Sequence, residues 1–280
     1  MTDSANEARL FERSGYAALS ELRASSYRRS FTELEAVQEQ FLEQAPVFRD
    51  PAYKWDTDTL HGWSRCWEYP FVYHHLLRER LRHEGAFAVA DFGSGSTFFP
   101  IAVARLGADV RAFDNDPVCV GDLRRAAGVL GVGAGTLQAD LSGATLPCPD
   151  AAVDLAYSIS VLEHMPDPVP IVAELTRILR PGGLLLVTLD IDVEGAAGVT
   201  PEHFDRLREE LALSFAFEYP ERTIHHFDVL SSKSSPWPRA GEEHHRGLMW
   251  RTKDRRLLPL IGGPSPGVLS VYGAVMRRKP

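Results

Sequence analysis

The chain has 280 residues, 44% of them hydrophobic and 24% charged, with 38 acidic against 30 basic side chains and a net charge of −8. That length and balance suit one large folded domain, or an ordinary one with an added segment, and exclude a globally disordered chain. The acidic excess argues against binding nucleic acid through a broad basic face. Cys66, Cys119 and Cys148 lie far apart with no CxxC spacing, so neither a disulfide framework nor a structural zinc site is expected, and a reducing cytoplasm is. The first fifteen residues are charged and lack the apolar run of a secretory leader, and no stretch reaches the ~20 apolar residues of a membrane span. A soluble protein with no membrane partner is expected.

In chain order, Leu10, Phe11, Leu19 and Leu22 predict a first helix that Gly15 interrupts. A second is predicted from Ser30, where Ser30 with Glu33 fits a capping box and Phe31, Leu34, Val37, Phe41 and Leu42 recur at helical spacing. After Pro46 an aromatic-rich stretch, Trp55 to Tyr73, leads into a helix reaching Arg82. From Ala86 onward, short apolar runs alternate with helical patterns. Strands are predicted at Ala86–Phe92, Asp109–Asp114, Thr136–Asp140, Val153–Ser158 and Leu184–Leu189. Between them lie helices from Phe98 to Leu106, from Asp116–Pro117 to Gly131, and from Asp167–Pro168 to the breaker Pro181-Gly182-Gly183. Asp116 reads as an N-cap with proline at the first helical position. A sixth helix starts at Thr200-Pro201, Phe215 to Pro266 has no clear pattern, and Leu269–Met276 is a last strand. This rhythm predicts an α/β fold with a doubly wound, mostly parallel sheet. Residues 1–85 would form a helical extension, and residues 86–280 a domain with an insertion at about 215–266.

The sharpest motif is Asp91-Phe92-Gly93-Ser94-Gly95-Ser96-Thr97, where the first strand turns into a helix. Glycines there let the backbone approach a ligand, and the helix start directs free N–H groups at it. The dinucleotide fingerprint GxGxxG fails because Phe98 stands at its third glycine, and a P-loop fails for want of a lysine. Asp91-Phe92-Gly93 spells a kinase tripeptide, but the rest of the kinase set is absent.

What remains resembles the class I S-adenosylmethionine-dependent methyltransferases, across about half the chain. Their acidic residue and alternating glycines match Asp91, Gly93 and Gly95, with Thr97 departing at the third glycine. Their acidic residue after the second strand matches Asp114, beside Asn115. Gln138-Ala139-Asp140-Leu141, Asp154 to His164 and Leu179 to Val187 resemble the segments that follow. The resemblance implies a seven-stranded Rossmann-like fold binding S-adenosyl-L-methionine through Asp91, Gly93, Ser94, Gly95, Asp114, Asn115, Asp140, Leu141 and Ser158. Asp114 would hold the ribose hydroxyls and Asp140 the adenine amino group. The family's N-terminal lids also imply Arg65 at the methionine carboxylate, assisted by Tyr69. Trp67 and Phe71, four apart, read as core.

For chemistry, His164 after the fourth strand is either a base near neutral pH or part of a helix start. Asp190 and Asp192 after the fifth strand either hold an acceptor or are solvated. Of the pairs His225-His226 and His244-His245, His225 or His226 is the better candidate for an acceptor pocket, and no metal is expected. The expected activity is methyl transfer by in-line displacement to an oxygen, nitrogen or carbon of a small-molecule acceptor, in secondary metabolism. The alternatives are an RNA or protein methyltransferase, and a cyclase, lyase or binding protein on the same scaffold. A homodimer is left open.

Overall fold

The computed structural model describes residues 10–139, 141, 145–192, 200–237 and 268–280. Five parallel strands form its centre: β2 (Ala88–Phe92), β3 (Asp109–Asp114), β4 (Ala134–Gln138), β5 (Val153–Ile159) and β6 (Leu179–Asp192). β8 (Leu269–Arg278) runs antiparallel to β6, and its far edge carries two short strands, β1 (Gly15–Tyr16) and β7 (Phe215–Phe217). The order is β4-β3-β2-β5-β6-β8-β1, with β7 also on β8. Among the described residues the sheet thus holds eight strands rather than the expected seven, because residues 15–16 and 215–217 both pair with β8. β2 lies between β3 and β5, so strand order reverses there, and ligands of open α/β sheets bind at such a switch point.

Helices α1 (Ser25–Phe48), α2 (Arg65–Arg82), α3 (Phe99–Arg105) and α4 (Pro117–Val129) cover one face; α5 (Val169–Ile178) and α6 (Pro201–Ser214) cover the other. Alternation along the strands supplies both cores. Val89, Leu155, Leu186 and Val271 pack under α1–α4, while Ala90, Ala156, Leu185 and Ala274 pack under α5 and α6. Trp67 and Phe71 are buried and stacked at 4.5 Å, as their spacing predicts.

The N-terminal segment departs from expectation. Leu10 to Leu22 form no α-helix: Gly15, at φ +116°, enters β1, and Leu19–Arg23 make a single 3-10 turn. Tertiary bonds override the apolar spacing. Buried Glu21 accepts two bonds of 2.7 Å from Arg13 and one of 2.8 Å from Trp67 Nε1. α1 starts at Ser25, so Ser30 lies buried inside it instead of capping it, and the helix runs through Pro46. Its end is docked on α4, where buried Asp122 accepts from the Asp50 amide at 2.9 Å and from Arg49 at 3.3 Å.

The later elements keep close to their predicted bounds. Asp116 caps α4 by accepting from the Val118 amide at 2.9 Å, and Thr200 caps α6 at 3.3 Å from His203. β4 starts two residues before its predicted position. β6 begins at Leu179, before Pro181-Gly182-Gly183, and continues to Asp192. The three cysteines are free and buried.

Candidate functional site

At the carboxyl end of β2 the chain turns through Gly93, at φ +78°, and Gly95, at φ +57°. A Cβ on Gly93 would sit 2.4 Å from Val161 Cγ2, so only glycine lets this turn close against the loop after β5. A Cβ on Gly95 would meet only Thr97, at 3.6 Å, so the backbone there borders open space. The Gly93 and Ser94 amides donate to Phe113 O at 2.9 and 3.1 Å, which ties the turn to β3.

Asp114 ends β3 with one oxygen accepting from the Gly95 amide at 2.7 Å and the other from the Asp116 amide at 2.8 Å. Burial raises its pKa, against the pull of these amides. A carboxylate oxygen accepts more than one bond, so capacity remains for two hydroxyl groups. Asp91 is 4% exposed and accepts from the Tyr157 hydroxyl at 2.8 Å. Burial pushes its carboxyl up to about 8. A group that costly to ionise inside the protein favours a cationic ligand beside it.

The other predicted cofactor contacts fall into three sets. Ser94 is buried in the turn, while Asn115 lies exposed next to Asp114. Leu141 is buried in the α5–α6 core. Ser158 pairs with Phe92 and shares its face, opposite Asp91; its hydroxyl is buried with no partner. Asp140 lies outside the described residues, as do His244 and His245.

α2 covers the crevice and brings Tyr69 and Arg65 to it. Burial raises the Tyr69 phenol, opposed by the charge of Arg65 and the hydroxyls of Thr59 and Thr97. Tyr69 thus meets the glycine turn. Arg65 instead engages the loop after β5: its Nη1 donates to Glu68 of its own helix and, at 2.6 Å, to Ser160 Oγ. Arg49 makes the direct contact with the turn, donating to Ser96 Oγ at 2.8 Å and Ser96 O at 3.2 Å. Its Nε and Nη2 are buried without partners, and the ring of Tyr53 lies 3.9 Å from its guanidinium carbon. Sequence reasoning missed Arg49, since nothing local links it to a turn 47 residues away.

Beyond Gly93 lies a second cluster. Ser160, at φ +48°, donates Oγ to Glu68 Oε1 at 2.7 Å. Three residues on, Glu163 is 4% exposed, accepts the Asp190 amide at 3.0 Å and leaves Oε2 buried without a partner. Burial, then the charge of Asp190, raises the Glu163 pKa well above the usual range. Neither Glu68 nor Glu163 was expected from the sequence, although Glu163 adjoins the predicted His164.

Among the predicted chemical groups, Asp190 joins this cluster from inside β6, and Asp192 is a buried strand residue rather than a solvated loop carboxylate. His164 ends a 3-10 turn, Leu162–His164, with its residue exposed; desolvation and the charge of Arg65 lower its pKa. His225 is exposed and stacks on Phe227 at 5.2 Å, with His226 beside them. Among the described residues, no hydrogen bond or ion pair joins either histidine to this edge. The described residues hold no metal-ligand cluster and no helix long and apolar enough to cross a membrane.

The edge and its glycine turn have relatives. Residues 90–187 match the model of the methyltransferase domain family. A protein of Mycolicibacterium smegmatis, named a probable S-adenosylmethionine-dependent methyltransferase, is 33% identical over 121 residues, 43% of this chain and 45% of its own length. An uncharacterized methyltransferase of a Mycobacterium species, strain JLS, is 35% identical over 107 residues, 38% and 40% of the two chains. The chain thus spans less than half the length of these curated relatives. Two solved structures share the fold at a TM-score of 0.54. The 4+2 cyclase SpnF, 19% identical, is matched over 95% of this chain and 99% of its own. A candidate sarcosine dimethylglycine methyltransferase from Galdieria sulphuraria, 14% identical, is matched over 86% and 98%. Residues 90–187 are thus similar to a methyltransferase domain, and a protein named a probable S-adenosylmethionine-dependent methyltransferase is among the chain's relatives.

Proposed function

We propose that the chain transfers a methyl group from S-adenosylmethionine to an oxygen, nitrogen or carbon of a small-molecule acceptor, in secondary metabolism. The observation that carries this reading is the pairing of the Gly93–Gly95 turn with Asp114 at adjacent strand ends. The residues present fit the cofactor. Open space borders Gly95, Asp114 keeps acceptor capacity for the ribose hydroxyls, and Asp91 favours a cation. Tyr69 and Arg49 flank the same turn as donors for a carboxylate. When bound, the cofactor supplies a methyl group already activated on its sulfonium.

The chain's own task is then to orient the acceptor and exclude water. α1 and α2 serve as the lid, held over the edge by the Arg49, Asp50 and Asp122 contacts and by the Arg65–Glu68–Ser160 bonds. A strand edge covered by helices suits a small acceptor better than an open groove for a macromolecule. Among predicted bases, Asp190 and His164 lie at this edge, and His225 stands apart. Because a cyclase shares the fold, the fold alone does not decide for methyl transfer. Incubation with methyl-labelled cofactor and pools of small acceptors decides it. Label in a small-molecule product supports the reading, and tight cofactor binding with no transfer to any pool overturns it.

A further inference from the structure

We propose that His61 is a pH-sensitive clasp: its protonated ring joins α1 to the loop before α2, and loss of the proton frees α1 at that point. The device acts whatever the strand ends bind.

Both ring nitrogens of His61 face carboxylates. Nδ1 lies 2.8 Å from each oxygen of Asp58, in its own loop, and Nε2 lies 3.1 Å from Glu35 Oε1 on α1. A neutral imidazole carries one N–H and one bare nitrogen. It therefore serves only one of these partners, and its bare nitrogen meets the lone pairs of the other. The imidazolium donates to both. Against the pull of burial, the bonds and charges of Asp58 and Glu35 raise the His61 pKa.

The surroundings decide which bond gives way on deprotonation. Asp58 is held in place by Gln38 Nε2 at 2.7 Å and by the His61 amide at 3.3 Å, and it meets Nδ1 with two oxygens. The Glu35 side chain is 39% exposed, so water readily replaces its bond. The proton of a neutral ring therefore stays on Nδ1, and Glu35 is the partner released. Gln38, one turn along α1 from Glu35, still accepts from the Leu60 amide at 2.8 Å. The joint between α1 and the loop is thus loosened at one end, with the other end kept.

A third segment meets the clasp. The Trp237 ring lies 4.5 Å from the His61 ring, and Phe31, one turn before Glu35, lies 5.8 Å from it. Glu35 and Asp58 are the charged groups facing His61 from α1 and from its own loop. Trp237 brings no charge, but an indole within about 6 Å attracts a cation. Its amide donates to Ser235 Oγ at 3.2 Å, and that hydroxyl donates to Trp63 O, in the same loop, at 2.9 Å. The loop leads directly into Arg65 and α2, so the clasp sets how firmly the two covering helices are tied together. The folded ring keeps its proton above the ordinary value of 6.5. The clasp therefore stabilises the fold fully below that pH, and its contribution is lost as pH rises through the folded value.

An NMR pH titration of the full chain follows the His61 ring protons, the Leu60 amide and the Trp237 indole N–H, in wild type and in Glu35→Gln. The expected wild-type result is a His61 midpoint above 6.5, shared by the Leu60 and Trp237 resonances. Glu35→Gln keeps the side chain's size and removes its charge, and all three midpoints should fall together. Urea unfolding should show a loss of stability through the wild-type midpoint that is smaller in this variant. In His61→Gln the two reporters should lose that midpoint. A His61 midpoint at or below 6.5 overturns the proposal. So does a midpoint that Glu35→Gln leaves unchanged, or Leu60 and Trp237 resonances that do not follow His61.

Discussion

The two halves of the ligand edge are built by different means. The half around β2 and β3 is made of backbone: two glycines at positive φ, amides returned to Phe113, and Asp114 clasping Gly95 from one strand over. The half around β5 and β6 is made of side chains from distant segments, with Glu68 bonded to Ser160 across 92 residues. A backbone cradle tolerates few substitutions but serves one invariant ligand. A cluster of side chains can be refitted without disturbing the fold.

The largest expected effect tests the side-chain half. Glu68→Ala leaves Arg65 without its carboxylate in a covered site, so it should lower unfolding stability by about 3–5 kcal/mol, read by urea denaturation. A loss under about 1 kcal/mol would show that the pair is a solvated one. Gly93→Ala tests the backbone half. The added Cβ meets both the left-handed backbone and Val161, for a loss of about 2–4 kcal/mol. In a Val161→Ala background only the contact part should be recovered. Wild-type stability in Gly93→Ala would remove the cradle from the account.

A pH series separates the halves by charge. The Asp91 carboxyl has a pKa of about 8 in the fold against an ordinary value of 3.8. Its stabilising contribution is therefore full below about pH 4 and lost as pH rises toward 8. Asp91→Asn should flatten the fall in unfolding free energy between those limits in ligand-free protein. Parallel slopes for variant and wild type would place Asp91 in contact with water. The smallest effect concerns the cap: Asp116→Ala should cost about 1 kcal/mol of stability and leave the Glu68–Ser160 bond untouched.

The same division governs what was legible in the sequence. The glycine turn, Asp114 and the Asp116 cap are local signals, in which neighbouring residues supply geometry and partners, and each stands where its spacing predicts. The alternation of strands and helices was legible for the same reason. Leu10 to Leu22 misled because their apolar spacing suits a helix, while the bonds of Glu21 to Arg13 and Trp67 hold a short strand and a 3-10 turn. Arg49, Glu68 and Glu163 were not legible, because their partners Ser96, Ser160 and the Asp190 amide come from segments distant in the sequence. Asp190 was expected in the loop after the fifth strand, and β6 instead runs past it.

The central claim is that Asp114 and the glycine turn hold S-adenosylmethionine. Calorimetric titration of the cofactor into wild type and Asp114→Asn tests it most directly, since the amide keeps the side chain's size while removing its charge. Exchanging two charge-assisted bonds for neutral ones is worth about 2 kcal/mol, so the variant should bind ~30-fold more weakly. Equal affinity in the two proteins would contradict the assignment of the site.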